Sequence, residues 1–294
     1  MLNPPLSLLS DDLLYYIVDH VARLPSSNLD LYNLSIADRA FTRFCQAYIF
    51  KDVYLGYYNR RRTHYFVSEQ LAKIRNMLND EPSIANRVRT VHLALRPKEF
   101  TRFKETFWFF NEPNFITIVQ LLAKSLMPPH KLRITGPARS YTTIDDPVLV
   151  VGWLMHSFFS QTLTVLDITN CRNVPLTLFI VCPNLREVYL DDVKVSESRD
   201  AEYPDTQCSG RRKLPALERL NHRNSGSLVK QMITPPPKFS MAVVVWSKLR
   251  VLKLCPEEKE GMTYLQPILD AACHTLEELY LTNEQVTWCL DGKI

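Results

Sequence analysis

Apolar positions in the first 55 residues recur at helical spacing in three short stretches. Ser10 is suited to cap a helix N-terminus, and the two aspartates after it place negative charge in the first turn, so a first helix is predicted through Leu24. A second helix is predicted from about residue 28, and a third through DRAFTRFCQAYIF at 38–50. The next segment, KDVYLGYY, is predicted to be extended. Residues 1–56 therefore form a small helical unit, followed by a helical linker or cap at 57–87.

A different pattern begins at residue 88, where a short motif with apolar residues at positions 1, 4 and 6 starts to recur. Positions 4 and 6 alternate as in a strand with one buried face, and position 1 turns inward from the preceding loop. Each copy therefore predicts a short strand. The copies are VRTVHL from Val88, LTVLDI from Leu163, LREVYL from Leu185, LERLNH from Leu217, LRVLKL from Leu249 and LEELYL from Leu276, with a partial copy, KLRI, at 131–134.

Segments of helical pattern lie between these strands, among them TIVQLLAKSL, VLVVGWLMHSFF and YLQPILDAAC. One strand–helix unit cannot bury its own apolar face, so neighbouring units must stack. The last five motifs start 22, 32, 32 and 27 residues apart, which predicts irregular repeats. We expect an α/β fold: a three-helix unit, then an irregular leucine-rich-repeat solenoid of parallel strands backed by helices at 88–294.

Two polar segments interrupt the repeats, SESRDAEYPDTQCSGRRK at 196–213 and HRNSGSLVKQMITPPPK at 222–238. The proline run of the second cannot continue a helix or a strand. We expect both segments to be solvated connections, with partner-binding loops as the alternative.

Composition narrows the class of protein. A chain of 294 residues with 46% hydrophobic residues can bury a sizeable core, and its net charge of +4 neither demands nor excludes an acidic partner. The longest apolar runs, VLVVGWLM and MAVVVW, are shorter than the roughly 18 to 20 residues that span a bilayer. We expect an intracellular protein, cytoplasmic or nuclear, with no membrane partner.

The residue types that bind metals or phosphate form none of the usual motifs in this sequence. The seven cysteines include no CxxC pair, the seven glycines are too far apart for a phosphate-binding loop, and the histidines show no HxxxH spacing. Cys273 and His274 are neighbours at the end of a predicted helix, where adjacent side chains point about 100° apart. We therefore predict no metal, no cofactor and no enzyme activity. Carboxylates that the fold brings together are the catalytic arrangement that the sequence leaves open.

Two motifs near the N-terminus carry a resemblance to a known family. LSDDLLYYIVDHV from Leu9 follows a pattern of Leu-Pro, two acidic or polar residues and an apolar helix, with Ser10 at the usual proline. LYNLSIADRAF is similar to Leu-x-x-Cys-Ser-Leu-Val-Cys-Arg-x-Phe, with Arg39 and Phe41 matching. In these respects the N-terminus resembles an F-box. MLNDEPSIANRVRTVHL and VCPNLREVYLDDV look like segments of fungal F-box proteins with leucine-rich remainders.

This resemblance implies a non-catalytic role. In the F-box family the N-terminal helices bind Skp1, which links the protein to a cullin–RING ubiquitin ligase, and the repeats hold a protein substrate. By resemblance, the residues expected to contact a Skp1-like adaptor are Leu9, Ser10, Leu13, Leu14, Ile17, Val18, Leu31, Leu34 and Ile36.

The apolar arc of the first helix supports a partner independently. At 100° per residue, its Leu, Ile and Val positions cover about 140°, which exceeds the roughly 100° stripe that a core-facing surface helix needs as a minimum. Burying one such side chain fully is worth about 1.5–3 kcal/mol, so a partner that covers the outer part of the arc recovers several kcal/mol. The alternative is that the repeat domain or the segment after residue 57 covers this surface.

The residue between positions 4 and 6 of each strand motif points outward from the predicted sheet. These residues mix charge with tyrosine, which suits a protein-binding surface and is equally typical of a solvated sheet. Asp167, Tyr189, Lys253 and Tyr280 are the predicted substrate contacts. The full set is His92, Arg133, Asp167, Tyr189, Asn221, Lys253 and Tyr280.

Two other functions stay open at this point. A repeat protein with a degenerate F-box could act as an interaction scaffold without a ligase role. Three helices followed by RRR at 60–62 could also imitate a helix-turn-helix with a basic arm. A DNA-reading helix needs a polar, basic outer face, whereas the third predicted helix is dominated by Phe, Cys, Tyr and Ile. We therefore expect no nucleic-acid partner.

Overall fold

The structure is a computed structural model that describes residues 9–24, 27–56, 64–95, 111–137, 142–144, 149–195, 213–234, 243–255 and 265–282. The α-helices are α1 Asp11–Ala22, α2 Ser27–Ala37, α3 Arg39–Ile49, α4 His64–Asp80, α5 Pro113–Ala123, α6 Thr177–Ile180, α7 Gly226–Ile233 and α8 Gln266–Ala272, with a 3-10 helix at Pro82–Arg87 and a π-helix at Leu149–Phe159. The strands are β1 Asp52–Gly56, β2 Thr90–Ala94, β3 Lys131–Thr135, β4 Thr142–Thr143, β5 Val165–Thr169, β6 Cys171–Arg172, β7 Glu187–Asp191, β8 Arg219–Arg223, β9 Val251–Cys255 and β10 Glu278–Leu281.

Three helices come first along the described chain, and two of them begin at a side-chain cap. The Ser10 hydroxyl accepts a hydrogen bond from the Leu13 amide at 3.4 Å and caps α1. The Asp38 carboxylate accepts from the Ala40 amide at 2.8 Å and caps α3. The predicted three-helix unit is therefore confirmed. It has a core of its own, made of Leu14, Val18, Leu31, Phe41 and Cys45.

The rest of the described chain is organised by one parallel sheet of eight strands. Its order, β1-β2-β3-β5-β7-β8-β9-β10, follows the chain, and every neighbouring pair is parallel. β4 and β6 form a separate parallel pair. This confirms an α/β fold with parallel strands and helices.

Burial along the strands follows the apolar motif. Positions 4 and 6 are buried in β2, β3, β5, β7, β8 and β9, and the leucine or valine at position 1 is buried in front of β2, β5, β7, β8 and β9. Buried side chains of the helices join the same core, for example Phe115, Ile118 and Leu122 of α5. The helices therefore cover one face of the sheet, and the residues between positions 4 and 6 form the other.

The sheet begins before residue 88, where the sequence placed the start of the repeat domain. β1 pairs in parallel with β2 through all five of its residues. Val67, Leu71 and Leu78 of α4 belong to the sheet's core. KDVYL at 51–55 repeats the strand pattern, with apolar residues at alternate positions, but it follows a helix rather than the leucine that marks the other copies.

The chain leaves several strands through the same backbone turn. Asn170, Asp192 and Asn224 come directly after β5, β7 and β8, and each has a positive φ between 49° and 54°. Asparagine and aspartate tolerate this left-handed conformation better than other side chains do. Each of their amides donates to a carbonyl in the next strand, as Asn170 does to Asp191 at 2.8 Å. This turn joins each strand to its neighbour.

For one of the two polar segments, 222–238, the prediction of a solvated connection is wrong. His222 occupies a core position of β8, and the following residues form α7 with Leu228, Val229 and Met232 buried. The helical spacing of these three residues was hidden between a serine- and asparagine-rich start and a proline run. The other segment, 196–213, lies outside the described residues except for the exposed Lys213. RRR at 60–62 also lies outside them.

None of the helices in the described part of the chain is both long and apolar enough to cross a bilayer.

Candidate protein-interaction surfaces

Helix α1 presents two different faces, as its wide apolar arc predicts. Leu14 and Val18 pack in the core of the three-helix unit. Leu13 and Ile17, four residues apart, are exposed on the adjacent side of the same helix, and Leu24, two residues after the helix ends, is also exposed. The three exposed side chains are the part of the arc that the rest of the described chain does not cover.

The opposite flank of α1 is closed against α3. The Tyr48 hydroxyl donates to the Asp19 carboxylate at 2.8 Å and lies 3.2 Å from the Tyr15 hydroxyl. Burial, together with these two hydrogen bonds, raises the pKa of Tyr48 above its ordinary value. Arg23 completes the group with an ion pair to Asp19 at 2.5 Å. The uncovered apolar surface of α1 therefore lies on the side away from this flank.

Helix α2 is apolar on opposite sides. Leu31 is buried against α1 and α3. Leu29, Tyr32 and Ile36 recur three and four residues apart on the opposite side, and all three are exposed. A helix with apolar residues on both sides needs a second packing surface to bury them all. We call the exposed set Leu13, Ile17, Leu24, Leu29, Tyr32 and Ile36 the outer apolar face.

The residues predicted to contact Skp1 divide into three groups. Leu13, Ile17 and Ile36 are on the outer apolar face, and the exposed Ser10 caps α1. Leu9 and Leu34 are half-buried at the margin of the helical core. The remaining three are core residues with at most 3% exposure, and their contact with Skp1 stays a prediction. They are Leu14, Val18 and Leu31.

Leu24 of the outer apolar face is absent from the predicted Skp1 contacts. The two residues of α2 that were also missed are Leu29 and Tyr32. The available signal was their spacing with Ile36, which places all three on one side of α2. It was overlooked because Leu31 and Leu34 define an equally regular stripe on the opposite side.

A groove of about 350 Å³ lies between the start of α1 and α3. Leu9 and Leu14 line it on the apolar side, and Arg39 and Arg43 line it on the charged side. Arg43 is paired with the Asp11 carboxylate, which also lines the groove. The groove is therefore a small, mixed concavity beside the helical core.

The sheet face aligns the predicted substrate contacts in a single row. Register places the central residues of the eight strands side by side, so all four predicted contacts lie on one surface. Tyr54 of β1 belongs to this row and was missed, because β1 was assigned to the helical unit. The row is Tyr54, His92, Arg133, Asp167, Tyr189, Asn221, Lys253 and Tyr280.

Side chains of this row contact one another and other residues of the sheet face. Arg133 Nε donates to Asp167 Oδ2 at 2.7 Å, and Lys253 Nζ lies 4.3 Å from the centre of the Tyr280 ring. The Tyr189 hydroxyl donates to Glu187 at 2.7 Å, and burial followed by this bond raises the pKa of Tyr189 to about 12. The sheet face therefore offers ordered aromatic and charged groups in fixed positions.

His92 occupies the row beside Tyr54, with the two ring centres 4.9 Å apart. Its Nε2 lies 2.8 Å from the Thr135 hydroxyl. Burial and then the positive charge of Arg133 lower the pKa of His92 to about 4. The imidazole is therefore neutral at pH 7 and acts in this surface as a hydrogen-bonding aromatic ring.

Among the described residues, the cysteine side chains are either buried or lie on the surface outside any metal-binding group. Cys171 and Cys182 are fully buried, and burial raises the pKa of each thiol to about 12, so both behave as core residues. Cys273 and His274 are exposed at the end of α8. In the described ranges, no group of three His, Cys, Asp or Glu side chains is placed to hold a metal ion.

Comparison with known proteins adds no relative: no family model matches the chain, and no curated protein matches it.

Proposed function

We propose that this chain is a non-catalytic substrate-recognition adaptor of a Skp1–cullin–F-box type ubiquitin ligase. The three-helix unit binds a Skp1-like protein through its outer apolar face, and the sheet face binds a protein substrate. Ubiquitin transfer belongs to the cullin–RING subunits of the assembly, inside the cell.

The observation that carries this proposal is the part of the outer apolar face that lies on α2. Leu29, Tyr32 and Ile36 take no part in the helical core, yet they stand together on one side of a helix of eleven residues. Exposed apolar patches of this kind, on an independently packed unit, are typical of protein-binding surfaces. Burying one such leucine or isoleucine fully is worth about 1.5–3 kcal/mol, so a partner helix gains substantially here.

The sheet supports the second half of the proposal. Eight parallel strands in chain order, with helices on one face, support an irregular leucine-rich-repeat solenoid. In such a solenoid the uncovered face is an extended surface, and its central row takes one residue from each strand. The row from Tyr54 to Tyr280 supplies tyrosines and charges, which are common in protein interfaces.

Co-purification with Skp1 tests the adaptor function. The intact chain is expected to retain Skp1, and Leu29→Asp and Ile36→Asp are each expected to lower the retained amount at least tenfold. Leu126→Asp is the matched control, because Leu126 is 88% exposed and follows α5 of the sheet domain. Circular dichroism checks that the helices of each variant persist.

Absence of Skp1 from the intact chain would remove the ligase function. The scaffold alternative then gains if the outer apolar face still binds another protein. Equal retention by the intact chain and both α2 variants would keep an adaptor but place its Skp1 contact elsewhere.

A further inference from the structure

Strand β10 has one unpaired edge within the part of the chain that the structure describes. On its other side it pairs with β9, where the Glu278 amide donates to the Arg250 carbonyl at 2.9 Å. Because successive backbone groups of a strand point to opposite sides, the N–H and C=O groups of Leu279 and Leu281 face the open edge. These groups can pair with a further strand.

The side chains at this edge belong to a core that is left incomplete. Leu279 and Leu281 lie on the core side of the sheet, beside Leu252 and Leu254 of β9. Leu252 and Leu254 are 0% and 2% exposed, whereas Leu279 and Leu281 are 46% and 53% exposed. An added strand with apolar residues at the same alternate positions would cover both leucines.

Basic and acidic residues alternate from one motif to the next, and this series ends with an acidic residue at the edge formed by β10. At the second motif position, Arg186 Nη1 lies 3.4 Å from Glu218 Oε1, and Arg250 donates twice to the Glu277 carboxylate at 2.8 Å. Arg250 also interacts electrostatically with Glu218. Glu218 thus has an arginine beside it from each neighbouring motif, while Glu277 has one on the β9 side alone among the described residues. A basic residue continues the series.

We propose that β10 is the docking edge for an extended segment of a partner protein, which adds as one further parallel strand with the pattern basic–x–apolar–x–apolar. The basic residue meets Glu277, and the two apolar residues lie beside Leu279 and Leu281. Main-chain hydrogen bonds give affinity and the alternate side chains give specificity, as in other strand-addition complexes. This interaction does not depend on the three N-terminal helices.

The chain itself contains a segment with this pattern. β9 lies against β8 with Arg250 beside Glu218, and its Leu252 and Leu254 lie beside the buried Leu220 and His222 of β8. β10 presents the same series at its open edge, beginning with Glu277. A labelled peptide with the sequence of residues 248–254, KLRVLKL, is therefore a suitable probe.

Fluorescence anisotropy with the full chain provides the test. KLRVLKL is expected to bind saturably, and the matched peptide KLEVLKL at least tenfold more weakly. Glu277→Arg is expected to reverse this preference, and Leu281→Ser to weaken binding of KLRVLKL at least fivefold. Glu69→Arg on α4 is the matched charge-reversal control and is expected to change neither affinity. All three residues are exposed, and circular dichroism checks each fold.

Amide hydrogen exchange supplies the second measurement. The amides of Leu279 and Leu281 are expected to exchange rapidly in the free chain and slowly with KLRVLKL bound. Absence of saturable binding, or equal affinity for the two peptides, overturns the proposal. Slow exchange of both amides in a monomeric free chain also overturns it and assigns the edge to the chain's own residues. A dimer that Leu281→Ser dissociates assigns the edge to a second copy.

Discussion

Leu29 and Leu31 lie two residues apart on α2 and have opposite environments: Leu31 is 2% exposed and Leu29 is 64% exposed. Two positions along a helix correspond to about 200°, so the two side chains point in nearly opposite directions. Leu31 holds α2 to α1 and α3, while Leu29 belongs to the outer apolar face. The helical unit therefore separates the residues that stabilise it from those available to a partner.

The same pair yields a prediction about stability. Leu31→Ala is expected to lower the free energy of unfolding of the helical unit by about 2–5 kcal/mol, because it leaves a cavity in a small core. Leu29→Ala is expected to change it by less than about 0.5 kcal/mol, since an exposed side chain is removed. Urea denaturation followed by circular dichroism measures both. A loss of similar size in the two variants would contradict the assignment of Leu29 to an uncovered face.

Gly56 is predicted to be irreplaceable at the end of β1. Its φ is +104°, and an added Cβ would come within 2.3 Å of the Ala94 carbonyl oxygen in β2. Gly56→Ala is therefore expected to destabilise the sheet by about 1–3 kcal/mol. Gly226→Ala, at the first residue of α7 and without a positive φ, is the control and should be neutral or slightly stabilising. Denaturation midpoints that shift equally would refute this reading.

Acid sensitivity is predicted from His222, which is buried at a core position of β8. Burial lowers its pKa to about 4, whereas an unfolded histidine titrates near 6.5. The unfolded chain therefore binds a proton that the folded chain does not, and stability falls as the pH decreases from about 6.5 to about 4. The full effect is on the order of 3 kcal/mol. His92, with a pKa also near 4, acts in the same direction.

The variant His222→Leu tests this prediction, because Leu190 and Leu254 occupy the equivalent positions in the neighbouring strands. Its stability at pH 7 is expected to stay within about 1.5 kcal/mol of the original, and its loss between pH 7 and pH 5 to be smaller. Urea denaturation at both pH values makes the comparison. An unchanged pH dependence would show that His222 does not carry this effect.

Replacing the sheet-face contacts is predicted to separate the two binding functions. Alanine at Asp167, Tyr189, Lys253 and Tyr280 together should leave Skp1 retention unchanged and reduce at least one other co-purified protein at least fivefold. Quantitative mass spectrometry of the purified complexes gives both values. The control carries alanine at four exposed residues of the helices, Glu69, Lys73, Lys230 and Asp270. If every co-purified protein is retained equally by both variants, the substrate site lies elsewhere.

The strands and the first three helices could be predicted because local patterns determine them. The apolar motif located β2, β3, β5, β7, β8, β9 and β10, Ser10 marked the start of α1, and the apolar stripe within 38–50 indicated α3. The sequence analysis did not assign strand β1 to the sheet or predict helix α7, because their patterns are short and their flanking sequence suggests other structures. β1 is part of the sheet because it pairs with β2. The sequence of this five-residue strand alone does not encode that pairing.

The candidate surfaces were only partly predictable, for a different reason. Periodicity identifies the apolar residues of α1 and α2, but it cannot tell which of two apolar sides packs inward until the helices are placed together. The resemblance assigned Leu14 and Leu31 to the partner contact, and the placed helices show both residues in the core. The alignment of Asp167 with Tyr189 likewise depends on strand register, which long-range pairing sets.

Titration calorimetry of the intact chain with purified Skp1 tests the central claim most directly. The account predicts saturable binding with one Skp1 per chain, and at least tenfold weaker binding when Leu29→Asp and Ile36→Asp are combined in a variant that keeps its helical circular dichroism. No detectable binding of Skp1 to the folded, intact chain would contradict it.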